Sequence, residues 1–562
     1  MKPEWLSRWT VRLAQGLPLL FVAAVAVYYG CFTLRRPYHL DTVLHLDSVR
    51  ALLERGVLET AFPSRVGNTL LYLPGVALAG EAGLVWTSVV VVVATTALYF
   101  LTLRVDFGDA VALAAAVSFA TAPAVILTAT HLKEDANALL LALAALALAG
   151  RAGGGFRSIF AGALCGLGVL TKEYGVAFVP FVAAQMFVWR GRPEAVGDFV
   201  RPMTWQRAWP TLAAFLAGAG GIILLVSPGH FGILRGMTSS PYQAQFLGLQ
   251  QLLTGGPWSA WREGTSHLSG WAPFAVVALI VAARARRWTP ILWAGAGAVL
   301  FVLLSTTTVT VGRIFGPVIL LMMPVAWSGV RLALRTAAAK LWPLGPVEAV
   351  SDGAVLLVAV VLASWHVADV TPTLAYRKAY PPQARYFEGL GRATPPGTVL
   401  YGMDNCSVAT YFTGLPCRTH PVDATPEVAR AFVDGLVAEA KRRPVLLLHD
   451  FEAYDNGAIA TNLAMRANAP SAYAALGEDY HGLSWPGSWD GEVERIETTT
   501  DCRGIGVTRS PSNVPAPGFE VTTMLFACGS PGEETVQSRV GIGFRGRPTA
   551  LGTMSVRRLE PW

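Results

Sequence analysis

Two aspartates and a histidine near the N-terminus have the side chains and the spacing of a proton-transfer group. Asp41, His45 and Asp47 lie in the segment 35–50, directly after the first apolar stretch. An ionisable cluster beside a hydrocarbon span is costly and usually marks chemistry or transport. In a helix, Asp41 and His45 share one face, whereas Asp47 points about 120° away. The spacing predicts that one aspartate is a general base with His45 as its orienting partner. Solvated interface residues are the alternative.

A second polar cluster, His131-Leu132-Lys133-Glu134-Asp135, separates two very apolar stretches. In the functional interpretation, Glu134 or Asp135 binds acceptor hydroxyls or a divalent metal such as Mg or Mn. His131 is a further metal or acceptor contact, and Lys133 or His131 meets a phosphate. One histidine and two carboxylates are few ligands for such a metal. A solvated turn between two helices is the alternative.

Two further clusters contain cations. Lys172 precedes Glu173 and Tyr174 at the end of an apolar stretch, and Arg313 begins another. About 15 helical residues at roughly 1.5 Å each would bring Lys172 across the membrane. Both cations suit a phosphate or diphosphate, and Glu173 and Tyr174 add acceptor or metal contacts. Side chains that only reach the membrane surface are the alternative.

The composition places these clusters in a membrane protein. Of its 562 residues, 53% are hydrophobic and 14% charged, and the mean hydropathy is +0.45. Soluble domains contain about 25% charged residues. The formal net charge of +7 fits loop lysines and arginines that orient a membrane protein, and does not indicate nucleic-acid binding.

Apolar stretches of spanning length recur through residues 1–368 and predict a transmembrane catalytic domain of about 11 spans. They lie at 17–34, 84–103, 110–128, 136–150, 156–172, 175–189, 209–226, 271–283, 290–304, 314–331 and 349–366. Loops rich in arginine alternate with loops that hold few basic residues. The positive-inside rule therefore places the N-terminus inside and all four polar clusters on the outer face.

Two regions lie outside these stretches. Residues 35–83 form an outer segment, in which Pro74-Gly75 interrupts the apolar part Leu70–Ala79 and predicts a helix along the membrane surface. Residues 369–562 have the composition of a soluble, extracytoplasmic domain. Its β–α–β opening and strand-rich tail predict an α/β fold. The elements are strands at Thr398–Gly402, Pro444–His449 and Val521–Ala527, and a helix at Pro426–Arg442.

The six cysteines follow the same division. Cys31 and Cys165 fall in apolar stretches, where a lone thiol is usually a small core residue. The other four lie in the region predicted outside, where an oxidising compartment favours disulfides. Three pairings are open, and local loop closure favours Cys406–Cys417 and Cys502–Cys528.

Several motifs occur in an order that indicates a family. Residues 166–172 read Gly-Leu-Gly-Val-Leu-Thr-Lys, and Arg313–Pro317 is followed by Pro324. Together with the acidic residues after the first apolar stretch and before the fourth, these motifs resemble the GT-C superfamily of polyprenyl-phosphate-sugar glycosyltransferases. The similarity is greatest to protein O-mannosyltransferases and the lipid A aminoarabinose transferase, over roughly 17–370. The chain lacks that branch's Asp-Glu doublet and its Lys-Pro-Pro segment, and residues 67–72 stand in the place of the latter.

The resemblance implies that the first-loop acid is the catalytic base for inverting transfer, and that basic residues hold the departing lipid phosphate. Asp41 matches best, because Gly56 stands 15 positions on. Asp47, with Arg50 three positions on, stays the alternative. The implied phosphate contacts are Lys172, Lys133 and Arg313.

We therefore expect a membrane glycosyltransferase that moves a sugar from a polyprenyl-phosphate donor to an envelope glycan, lipid or protein. The expected partners are this donor, the acceptor and membrane lipid. Residue usage favours a bacterial cytoplasmic membrane. A transporter or flippase of lipid-linked substrates is the main alternative, and an inactive scaffold is a third. Cysteine labelling separates the first two, because a transporter exposes the clusters to alternating sides.

Overall fold

The computed structural model describes most of the helical part of the chain and selected elements of the C-terminal part. The described residues are 4–36, 40–58, 65–130, 132, 134–150, 155–190, 205–230, 232, 270–305, 315–343, 345–379, 388, 391–392, 394, 396–402, 406–419, 426–440, 442–443, 445–448, 503–511 and 520–528. They group into two units. The first is built from residues up to 374, apart from 37–44 and 239–247, which group with 375–562 in the second.

Apolar helices dominate the first unit. In chain order, the helices before the C-terminal part are α1 (Glu4–Phe32), α2 (Leu40–Arg55), α3 (Val66–Phe107), α4 (Asp109–Thr121), α5 (Pro123–Thr130), α6 (Asp135–Gly150), α7 (Gly155–Val169), α8 (Phe178–Arg190), α9 (Trp205–Val226), α10 (Ala272–Arg284), α11 (Trp288–Ser305), α12 (Gly316–Leu341) and α13 (Val347–Ala379). A 3₁₀ turn, Glu173–Ala177, joins α7 to α8.

The helices have the character of a membrane protein. Within the described residues, four helices are long and apolar enough to span a membrane, or five if the bent pair α4–α5 is one span. Six shorter apolar helices accompany them. A helix or the bent pair therefore overlaps each predicted apolar stretch, while the number of true crossings stays a prediction.

The segment before the second predicted span differs from the expectation. The predicted break at Pro74-Gly75 is wrong, because the helix continues through Pro74. Since α3 consists of two helical segments joined by a kink, a helix that lies along the membrane surface before this kink stays a prediction. The break lies instead at Ala79 and Gly80, where Gly80 has φ 59° and ψ −135°. Glycine adopts positive φ without steric cost, so the chain bends there rather than at the proline.

Helices α3 to α13 all contribute buried residues to the core of the first unit. Trp293, Trp327, Phe119, Phe178 and Phe215 are among its largest fully buried side chains. In lipid, such packing works through close van der Waals contact, because hydrocarbon outside the bundle is as apolar as its interior.

The described C-terminal elements are β1 (Val399–Gly402), α14 (Cys406–Thr413), β2 (Cys417–Thr419), α15 (Pro426–Ala440), β3 (Val445–Leu448), β4 (Arg503–Pro511) and β5 (Glu520–Cys528). The five strands form one sheet in the order β2-β1-β3-β5-β4. β1 is parallel to β2 and β3, whereas β5 is antiparallel to β3 and β4. The Cys406–Cys417 disulfide is present as predicted, and Cys502 lies outside the described residues. A separate extracytoplasmic domain stays a prediction.

Candidate active site

Glu134 is the centre of a buried cluster of charged side chains in the first unit. Its side chain is 1% exposed. One carboxylate oxygen, Oε1, accepts hydrogen bonds from Arg65 Nη1 at 2.8 Å and from Lys172 Nζ at 2.6 Å. Arg65 Nε also donates to Glu173 Oε1 at 2.7 Å. Two cations therefore converge on a single carboxylate oxygen.

Helix ends supply the residues of this cluster. Arg65 directly precedes α3, Glu134 lies in the turn before α6, and Lys172 lies between α7 and the 3₁₀ turn that begins with Glu173. Residues at such positions emerge from apolar helices, where a charged side chain would be costly, into a polar layer. The cluster therefore forms at one end of the helical bundle.

Mutual attraction keeps the cluster ionised despite its burial. Burial alone would favour the neutral acid, but Lys172 and Arg65 hold the pKa of the Glu134 carboxyl well below its usual range. Burial and Arg65 also oppose the charge of Lys172, yet Glu134, Asp135 and Glu173 raise the pKa of its ammonium group above the ordinary value. Arg65 is 18% and Lys172 15% exposed, so both retain some access.

His45 borders the cluster from α2. Its Nε2 lies 3.8 Å from Glu134 Oε2, which is too long for a hydrogen bond. The ring also lies 5.9 Å from that of Tyr72, centroid to centroid. His45 is thus placed against Glu134, while its predicted partnership with Asp41 stays a prediction, because the Asp41 side chain lies outside the described residues.

The two candidate bases differ in what the structure describes. Asp41 lies in the first turn of α2. Asp47 is exposed on α2. Arg50 pairs with Glu81 at 3.0 Å, and its charge also acts on the Asp47 carboxyl. His45 and Ser48 are buried. The assignment of Asp41 as the base, with Asp47 as the alternative, stays a prediction.

The other predicted contacts fall into two groups. Asp135 and Tyr174 are buried, and the Tyr174 hydroxyl donates to the main-chain oxygen of Asp135 at 2.8 Å. This bond ties the start of α6 to the 3₁₀ turn. His131, Lys133 and Arg313 lie outside the described residues, and their roles stay predictions.

Sequence reasoning missed Arg65, which binds both Glu134 and Glu173. No local pattern identifies it, because its partners lie 69 and 108 residues further along the chain. His230, just after α9, was also missed. Burial lowers the pKa of its imidazole, and the charge of Glu173 opposes this effect.

The cluster fits a divalent metal poorly. Among the residues that the structure describes, no group of three or more His, Cys, Asp or Glu side chains is arranged to hold a metal. Arg65 and Lys172 already contact Glu134 Oε1 and would repel a metal ion there. A Mg or Mn site that includes His131, which lies outside the described residues, stays a prediction.

One segment of the chain matches a known family model. Residues 75–218 match the family model described as dolichyl-phosphate-mannose-protein mannosyltransferase. This segment contains Glu134, Lys172 and Glu173, but not Arg65 or His45. No curated protein sequence matches the chain significantly.

Solved structures extend the similarity over most of the chain. ArnT from Cupriavidus metallidurans in the apo state matches with a TM-score of 0.54 and 15% identity, over 94% of this chain and 99% of that one. The same protein bound to undecaprenyl phosphate matches with a TM-score of 0.47 and 16% identity, over 80% of this chain and 95% of that one. Archaeoglobus fulgidus oligosaccharyltransferase in complex with Zn and sulfate matches with a TM-score of 0.43 and 13% identity, over 80% of this chain and 70% of that one.

The apo match shows a shared fold. The predicted resemblance to GT-C glycosyltransferases is confirmed by the family model over 75–218 and by this fold.

Proposed function

We propose that the protein is an inverting membrane glycosyltransferase that moves a sugar from a polyprenyl-phosphate donor to an extracytoplasmic acceptor. The observation that carries the proposal is the convergence of Arg65 and Lys172, two partly exposed cations, at one end of an apolar helical bundle. A lipid phosphate presents its negative charge at the membrane surface while its chain stays in hydrocarbon. The matched family model, whose description names a dolichyl-phosphate-linked mannose donor, includes Lys172.

The cations suit a phosphate chemically. A lysine ammonium group carries three N–H donors, and Glu134 accepts one from Lys172. The planar guanidinium of Arg65 can form paired hydrogen bonds with phosphate oxygens. Glu173 is 33% exposed whereas Glu134 is 1% exposed. An incoming phosphate would therefore compete with Glu173 for Arg65, while Glu134 stays in place and keeps both cations positioned.

The transfer step requires a base and a stabilised leaving group. The acceptor hydroxyl oxygen attacks the anomeric carbon from the face opposite the phosphate, and the bond between this carbon and the phosphate oxygen breaks. The hydroxyl proton passes to the carboxylate of Asp41, with Asp47 as the alternative base. Lys172 and Arg65 stabilise the charge that develops on the departing polyprenyl phosphate.

The proposal includes a location. Eleven spans would place the cluster and the C-terminal α/β domain on the outer face of a bacterial cytoplasmic membrane. The acceptor is then an envelope glycan, lipid or protein, and the C-terminal domain helps to position it. Arg313, Lys133 and His131 are proposed as further contacts.

A deletion strain tests the function. Mass spectrometry of its lipid extract should show accumulation of a polyprenyl-phosphate sugar and loss of one envelope modification. The wild-type gene should reverse both changes, Asp41→Asn should reverse neither at equal expression, and Asp47→Asn is the matched control that should. Reversal by Asp41→Asn with failure of Asp47→Asn would transfer the role to Asp47. An unchanged lipid extract would overturn the enzymatic proposal, and cysteine labelling from alternating sides would indicate a transporter.

A further inference from the structure

Asn68 joins the segments that carry the charged cluster. It lies in the first turn of α3, three residues after Arg65, and is fully buried. Its Nδ2 donates to the main-chain oxygen of Thr171 at 2.9 Å, and its Oδ1 accepts from Asn137 Nδ2 at 3.0 Å. A carbonyl oxygen can only accept, so the Thr171 contact fixes which end of the Asn68 amide is nitrogen.

Each partner of Asn68 is close in sequence to a residue of the cluster. Thr171 directly precedes Lys172, and Asn137 follows Glu134 by three residues in the first turn of α6. One side chain therefore connects the local backbones that carry Arg65, Glu134 and Lys172. These segments are otherwise far apart in sequence, because Asn68 and Thr171 are separated by 103 residues.

Gly67 allows this connection. Its N–H donates to the main-chain oxygen of Leu170 at 2.7 Å. A Cβ atom at position 67 would lie 2.6 Å from Thr171 Oγ1 and 2.9 Å from the Leu167 oxygen. Only glycine permits α3 to begin so close to the end of α7. Gly67 thus allows α3 to approach the end of α7, and Asn68 fixes the position of α3 through its hydrogen bonds to Thr171 and Asn137.

We propose that Asn68 is a positioning residue that sets where Arg65 and Lys172 converge on Glu134. The inference rests on the proposed function, since its role is to aim both cations at the donor phosphate. Residues 67–72 stand where the resembling transferases carry Lys-Pro-Pro. In this chain the segment positions cations borne by other segments, instead of supplying a lysine of its own.

Buried polar groups without hydrogen-bond partners destabilise a folded protein. Loss of the Asn68 amide would leave the Thr171 carbonyl and the Asn137 amide without this partner in a buried site, which is unfavourable. The segment before Lys172 can recover hydrogen bonds only by moving. A shift of about 1 Å at groups that position a substrate can reduce a rate by roughly 100-fold.

Two variants of Asn68 and one control test the proposal. Asn68→Leu keeps the approximate volume but removes both hydrogen bonds. Asn68→Asp keeps the shape, and only its protonated form can both accept from Asn137 and donate to Thr171. Thr96→Val is the matched control, because Thr96 is fully buried on the same helix and its hydroxyl donates only to the Val92 oxygen one turn earlier.

The first measurement is transfer per folded molecule in lipid nanodiscs, with the lipid-linked sugar isolated from the deletion strain as donor. We expect Asn68→Leu to lower kcat/KM by about 100-fold, mainly through a higher KM for the donor. Thr96→Val should stay close to wild type. The rate of Asn68→Asp relative to wild type should rise as the pH falls from about 8 to 5.5, because only the protonated carboxyl can donate to the Thr171 oxygen.

The second measurement does not depend on activity. Amide hydrogen exchange of residues 170–172 and 135–137 should accelerate in Asn68→Leu and stay unchanged in Thr96→Val. If exchange responds but wild-type protein transfers no sugar, the proposed function fails and the connection through Asn68 stands. If wild-type protein transfers sugar and Asn68→Leu has unchanged KM and kcat per folded molecule, the positioning role is overturned.

Discussion

Two ion-pair networks in the first unit have similar composition and opposite surroundings. In one, Arg65 and Lys172 meet Glu134, whose side chain is 1% exposed. In the other, Arg331 and Arg335 of α12 both pair with Glu348 of α13, at 3.0 and 2.7 Å. Glu348 is 54% exposed. Ion pairing alone therefore does not distinguish the two networks, whereas the burial of the shared carboxylate does.

The networks also differ in how the chain builds them. Arg331 and Glu348 are 17 residues apart, on two helices joined by a short loop. Arg65 and Glu134 are 69 residues apart, and Lys172 and Glu134 are 38 apart. The helical hairpin formed by α12 and α13 is enough to bring Arg331 and Glu348 together. The buried cluster forms only when the ends of several helices meet, so its geometry depends on the whole bundle.

The largest expected effect is the loss of the Glu134 charge. Glu134→Gln would leave Arg65 and Lys172 without their shared buried partner, which typically costs about 3–5 kcal/mol. The matched change Glu348→Gln removes an exposed partner, and such pairs contribute less than about 1 kcal/mol. Unfolding of the two variants in the same nanodiscs measures the difference. Equal destabilisation would show that burial does not distinguish the networks.

A double variant sharpens this result. Lys172→Met combined with Glu134→Gln removes one positive and one negative charge, so it should be more stable than additivity of the single variants predicts. Coupling of this kind is about 0.5–3 kcal/mol for residues in contact. Strict additivity would mean that the 2.6 Å contact carries little energy. Sugar transfer should be lost in both Glu134 variants.

The second effect is a pH dependence with a definite sign. The folded-state pKa of Glu134 is depressed, so its stabilisation is present above the unfolded value of about 4.3 and is lost as the pH falls through the folded pKa. The stability difference between wild type and Glu134→Gln should therefore stay constant from about pH 8 to 5 and shrink below about 4.5. Unfolding across this range measures it, and a decline between pH 8 and 6 would contradict the depressed pKa.

The contribution of Lys172 to stability depends on pH with the opposite sign. Its folded-state pKa is raised, so its contribution is present below the unfolded value of about 10.4 and is lost as the pH rises through the folded pKa. Both partners are therefore charged throughout the neutral range. An activity change near neutral pH must come from another group.

The sequence predicts much of the fold because hydropathy is a local property. Each predicted apolar stretch is overlapped by helix. The Cys406–Cys417 disulfide was predictable because its cysteines are only 11 residues apart and close a local loop. The bend in α3 was placed wrongly, since Pro74 draws attention while Gly80 has the positive φ that makes the bend. The residue type of a proline suggests a helix break from the sequence alone. A break at a glycine is recognised only from its backbone dihedral angles, because glycine also occurs in regular helices.

The site was predicted only in part, for a related reason. Glu134 and Lys172 were identified because charge beside apolar helices is conspicuous. Arg65 and Asn68 were not, because an arginine in a polar loop and an asparagine at a helix start are ordinary in sequence. Their partners are set by tertiary packing. The sequence also did not show that His45 borders Glu134, a contact between residues 89 positions apart.

The smallest expected effect is the response of the two networks to salt. Raising the ionic strength from about 0.1 to 1 M shortens the Debye length from about 10 to 3 Å, and it screens exposed pairs far more than buried ones. We expect the coupling between Arg335 and Glu348 in a double-mutant cycle to fall towards zero. The coupling between Arg65 and Glu134 should change little, because Glu134 is removed from solvent. A comparable loss in both would indicate that solvent ions reach Glu134, so that the cluster is an open polar pocket and its cations are already screened before a phosphate arrives.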